Sequence, residues 1–79
     1  MTNTILRRPA VEAATGYKRS TLYSRIAGEL FTKPVDLGGC VGWPEREIAV
    51  LNAARIAGKR DDEIRVLVRH LMAERKAAV

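Results

Sequence analysis

A chain of 79 residues with one cysteine, Cys40, is sized for a single small domain without an internal disulfide, and His70 alone beside that cysteine leaves no metal-ligand set. A net charge of +5, no apolar run of membrane-spanning length and a polar Met1-Thr2-Asn3-Thr4 start exclude a membrane span and a signal peptide, so the expectation is a cytoplasmic protein with a polyanionic partner. The charge is uneven: residues 1–34 hold six cations against two anions, residues 35–56 two against three, and residues 57–79 six against four.

Residues 1–6 read as a lead-in, in which Ile5 and Leu6 can dock as a short extended piece. Pro9 suits the first turn of a helix, where its missing N–H costs nothing, and the spacing predicts a short helix over 9–14. Gly16 then supplies the positive φ that turns the chain into a second helix from Lys18 or Arg19 to Ala27, stopped at Gly28. This is a helix-turn-helix. At roughly 100° per residue, Leu22 and Ile26 define the core face of the second helix. Ser20 and Ser24 fall opposite, with Thr21 and Arg25 on one flank and Arg19 and Tyr23 on the other. Hydroxyls and a forked guanidinium suit base edges in a major groove, and cations suit phosphates. Any one of these positions alone reads as a solvated helix face; the charge excess in the same segment raises the nucleic-acid reading.

Leu30 and Phe31 form an apolar pair that anchors the next segment. Pro34 to Leu37 and Cys40 to Trp43 then flank Gly38-Gly39, the pair of positive-φ residues that a two-residue hairpin turn needs, which makes a candidate wing. The alternative is an irregular glycine-rich loop. A two-stranded ribbon is marginal alone, so it must pack through Val35, Leu37, Val41 or Trp43, while Cys40 reads as a small buried hydrophobe. Pro44, Glu45 and Glu47 start a third helix, with anions facing its dipole, that reaches Ala57 and turns at Gly58; Ile48, Leu51 and Ala54 or Arg55 form its inner stripe. Asp61, Asp62 and Glu63 open a fourth, on which Ile64, Leu67, Val68, Leu71 and Met72 recur at helical spacing.

The order of these pieces resembles the AlpA family of prophage regulators, small winged-helix proteins related in architecture to the MerR DNA-binding domain. The resemblance runs from Ile5 to about Ala57 and rests on Leu6-Arg7-Arg8, Thr15-Gly16, Arg19-Ser20-Thr21-Leu22-Tyr23, Phe31, Lys33-Pro34-Val35, Leu37-Gly38-Gly39 and Val41-Gly42-Trp43. It implies a transcription or excision factor of a mobile element. The chain departs from the family pattern at Lys18, where an N-capping serine is usual, at Thr32 in place of proline, in a shorter and uncharged wing tip of Gly38, Gly39 and Cys40, and at Val50 in place of tryptophan.

The expected fold is therefore mostly α with a small β-hairpin: a winged helix-turn-helix over 1–58 and a C-terminal amphipathic helix over 59–79 that dimerises or braces the domain. The expected function is sequence-specific binding of double-stranded DNA by a transcriptional regulator of a prophage or other mobile element. Ser20, Thr21, Tyr23, Ser24 and Arg25 are candidates for base edges or phosphates, and Lys18, Arg19, Lys33, Arg7 and Arg8 for the backbone. An excisionase-like recombination factor uses the same residues, and a phage DNA-packaging module is the alternative from another class. Integrase or RNA polymerase are candidate protein partners; no cofactor is expected. No nucleophile, base and orienting group stand at workable spacing and His70 sits at the edge of the stripe, so an enzyme is not expected. The stripe Ile64, Leu67, Val68, Leu71 and Met72 must be covered, and a second copy is the favoured cover because the resembling domain ends near Gly58 and so small a core gains from a partner.

Overall fold

The computed structural model describes residues 4–77, so most of the polar start read as a lead-in lies outside the described residues. Strand β1 (Ile5–Arg7) runs directly into helix α1 (Arg8–Thr15) and then α2 (Arg19–Ala27). Strands β2 (Val35–Asp36) and β3 (Val41–Pro44) follow, then helices α3 (Glu45–Ile56) and α4 (Asp61–Ala77).

Gly16 ends α1 in the left-handed region at φ 77°, its N–H bonded to the Glu12 carbonyl at 2.8 Å. The Thr15 hydroxyl also donates to the Val11 carbonyl at 2.7 Å and accepts from the Tyr17 N–H at 3.3 Å. Lys18 takes the N-cap position of α2 in extended conformation with no side-chain cap, as its chemistry requires.

Helix α2 ends at Ala27 with Gly28 at the C-cap, as expected. Gly28 has φ −87° and is not the left-handed residue; Glu29 is, at φ 61°. The Leu30 N–H reaches the Arg25 carbonyl (2.8 Å) and the Glu29 N–H the Ile26 carbonyl (3.1 Å), a Schellman motif with glutamate at C′. Helix α3 closes with the same pair of bonds, Lys59 to Ala54 and Gly58 to Arg55, but there Gly58 holds the positive φ. Glutamate in that conformation costs about 1 kcal/mol relative to glycine, so something in the fold must hold it.

Leu6 pairs with Trp43, Arg7 with Gly42, and Gly42 in turn with Val35, giving a three-stranded antiparallel sheet in the order β1-β3-β2. The hairpin turn is as expected: Gly38 and Gly39 both have positive φ (80° and 106°), and the Leu37 N–H bonds the Cys40 carbonyl at 2.8 Å. Docking of β1 resolves the marginality of a two-stranded ribbon. Gly42 is buried in the central strand, and only glycine fits there, because a Cβ would sit 2.5 Å from Ile5 Cγ2 and 3.0 Å from the Leu6 carbonyl oxygen. Cys40 is half-buried at the turn, not a core residue.

The core gathers one or more residues from every element except β1 and β2: Val11, Leu22, Phe31, Trp43, Ile48, Leu51, Ile64, Val68 and Leu71. Trp43 is fully buried, stands edge-on to Phe31 at 6.5 Å and donates its indole N–H to the Thr32 carbonyl at 2.9 Å. Thr32, at the position where the resembling family carries proline, is fully buried with its hydroxyl unpaired.

Three members of the C-terminal stripe, Ile64, Val68 and Leu71, are buried in this same core, and Leu67 and Met72 pack against it. The chain's own body thus covers the surface for which the sequence favours a second copy. Within one chain, Ile64, Val68 and Leu71 of α4 are buried against the helix-turn-helix body.

Candidate nucleic-acid interface

Helix α2 presents its polar face as the rotation predicts: Leu22 is fully buried and Ile26 packs against the core, while Lys18, Arg19, Ser20, Thr21 and Ser24 are exposed. Tyr23 joins them at the surface, 37% exposed. The aromatic that does enter the core margin is Tyr17, edge-on to Phe31 at 6.4 Å. Arg25 is half-buried, its guanidinium 5.6 Å from the Tyr17 ring centroid. A cation over a ring face loses rotamer freedom before any ligand arrives, so Tyr17 orients Arg25. Tyr17 is absent from the sequence-derived candidates, and its signal in the sequence is an aromatic directly after the turn glycine, eight residues before Arg25.

Ion pairing separates the cations into two populations. Arg46, Arg55, Lys59, Arg60, Arg69 and Arg75 each lie within 4 Å of a carboxylate oxygen. Among the described residues, Arg7, Lys18, Arg19, Arg25 and Lys33 have no such partner. Arg8 is the exception in the first half of the chain: it starts α1 and pairs with Glu12 one turn on, at 3.0 Å, so its charge is largely spent within the molecule. Of the later cations, Arg65 donates to the Gly28 carbonyl, and Lys76 has no anionic partner among the described residues. The uncompensated charge is therefore concentrated on and beside α2, where it attracts a polyanion most strongly.

The sheet sets the positions of two of these cations. Arg7 ends β1 and stands in register with Gly42, whose other neighbour is Val35, so the end of β1 and the entry to β2 lie at the same level of the sheet. Lys33 is exposed two residues before Val35. The wing tip carries no cation; Asp36 instead accepts the Gly38 N–H at 2.9 Å, and Leu37 is 38% exposed. The wing offers shape and an apolar edge more than positive charge.

Residues on α3 complete the support. Asn52 donates its side-chain amide to the Ala14 carbonyl at 3.0 Å, fixing the end of α1. Glu47, read from sequence as an anion facing the helix dipole, is 95% buried and paired with Arg75. No helix among the described residues is long and apolar enough to cross a membrane.

Residues 4–51 match the family model of the prophage CP4-57 regulatory protein (AlpA), a span that takes in β1, the helix-turn-helix, the wing and the first part of α3. No curated protein and no solved structure matches the chain.

Proposed function

We propose that this chain, which belongs to the AlpA family of prophage regulatory proteins, binds double-stranded DNA sequence-specifically through α2 and regulates transcription from a mobile element. The observation that carries the reading is the coincidence of the exposed hydroxyl face of α2 with the unpaired cations Arg7, Lys18, Arg19, Arg25 and Lys33. Ser20, Thr21, Tyr23, Ser24 and the Tyr17-oriented Arg25 face base edges, and Lys18, Arg19, Lys33 and Arg7 hold phosphates and so fix the register. Arg8, already paired with Glu12, contributes little.

Titration with salt measures the phosphate contacts. If the four cations Arg7, Lys18, Arg19 and Lys33 each neutralise one phosphate, log K falls against log salt with a slope of about −3.6. Arg25→Ala is expected to cost about 1 to 3 kcal/mol on a selected duplex and much less on a scrambled one, as loss of a forked base contact requires. Equal losses on both duplexes, with the slope reduced by about 1, would make Arg25 a phosphate contact, and no loss on either would remove it from the interface.

A further inference from the structure

We infer that α4 sets the pose of the reading helix: Arg65, Arg69 and Arg75 are positioning residues that hold the connection from α2 to the wing, and selective DNA binding depends on them. The inference rests on the reading of α2 as the DNA-contacting helix, and all three arginines lie beyond the residues that match the family.

Arg65 and Arg69 stand four apart on one edge of α4 and both reach the turn that ends α2. Arg65 Nε donates to the Gly28 carbonyl at 3.0 Å and Arg69 Nε to Glu29 Oε2 at 3.3 Å. These are the two residues at which the helix ends with glutamate, not glycine, in the left-handed region. Charge-assisted bonds at both residues supply what holds Glu29 there.

Arg75 lies on the inner face of α4, in line with Ile64, Val68 and Leu71. Its Nε donates to Glu47 Oε2 at 2.7 Å and its Nη2 to Glu47 Oε1 at 2.6 Å, a two-pronged pair with a carboxylate that has almost no access to water. The same Nη2 donates to the Lys33 carbonyl at 2.7 Å. One guanidinium thus joins α4, α3 and the residue that enters the wing. Lysine cannot reproduce this, because a single ammonium lacks the planar fork.

From Gly28 to Lys33 the connection is therefore gripped along its length. Arg65 and Arg69 hold its start, Phe31 is buried in the core, Trp43 holds the Thr32 carbonyl and Arg75 holds Lys33. Two of the four grips are native to the matched domain; those at the ends come from α4.

The test uses the full chain in two variants, Arg75→Lys, which keeps the net charge, and Arg65→Gln with Arg69→Gln. Binding is measured to a duplex recovered from a random pool by the unmodified chain and to a scrambled duplex, alongside circular dichroism and hydrogen exchange at the Glu29 and Leu30 amides. Both variants are expected to keep their helix content and to lose about tenfold in affinity for the selected duplex, the size of one good base contact, with a much smaller change on the scrambled one. The double variant, which removes the bonds to Gly28 and Glu29, is expected to exchange faster at the Glu29 and Leu30 amides. An unchanged ratio between the two duplexes overturns the inference, as does unchanged exchange at Glu29 and Leu30 in the double variant. If Arg75→Lys does not fold, the double variant, which alters surface bonds alone, decides by the same readings. Failure of the unmodified chain to select any duplex would defeat the DNA reading itself, and the brace is then judged by exchange alone.

Discussion

Leu71→Asp is expected to unfold the whole domain. Leu71 is 2% exposed and belongs to the same core as Leu22 and Trp43, so the change removes a buried aliphatic side chain and leaves a carboxylate without a partner. The loss of packing alone is worth about 2 to 5 kcal/mol and the buried polar group adds to it. Domains of this size are stable by about 4 to 12 kcal/mol in total. The comparison is Val66→Asp on the same helix, at a site 63% exposed, where the expected change lies within about 0.5 kcal/mol. Thermal melts of the two variants with sedimentation of each separate the alternatives for α4. If a second copy were the true cover of the stripe, Leu71→Asp would dissociate a dimer and leave a folded helix-turn-helix behind.

Trp43→Ala is expected to cost about 3 to 5 kcal/mol, the usual penalty for emptying a fully buried aromatic site. The indole fills the space between the sheet and Phe31, and its N–H satisfies the Thr32 carbonyl, so two kinds of stabilisation are lost together. Trp43→Phe separates them: most of the packing is kept, and the remaining loss of about 1 to 3 kcal/mol reports the unsatisfied carbonyl. Chemical denaturation followed by circular dichroism checks both. A Trp43→Phe variant as stable as the unmodified chain would show that the bond to Thr32 contributes nothing.

The helices and turns of this fold were legible because each has a local cause. Gly16 and Gly58 end helices in the left-handed region, Gly38 and Gly39 make the hairpin turn, and the spacing of Leu22 with Ile26 and of Ile64, Val68 and Leu71 orients two helices toward the core. The polar face of α2 followed from the same rotation, which is why Ser20, Thr21 and Ser24 emerge exposed where expected. What the sequence hid depends on contacts between distant residues. Ile5 and Leu6 are legible as a short extended piece, but the pairing of Ile5–Arg7 as a strand depends on the edge that β3 offers. Glu29 looks like a solvated residue after a glycine until its φ of 61° is seen, and Glu47 and Arg75 look like ordinary charges at helix ends although they form a part-buried pair 28 residues apart. The stripe on α4 showed that it must be covered, and only the packed body shows by what: the core that Val11, Leu22 and Trp43 already define.

Reading of DNA sequence by α2 is tested most directly by selection of bound duplexes from a random pool. The unmodified chain is expected to enrich a single consensus, and the chain carrying Ser20→Ala, Ser24→Ala and Arg25→Ala, with its core face of Leu22 and Ile26 intact, is expected to bind the pool with similar salt dependence but to enrich none. Recovery of the same consensus by both chains would contradict it.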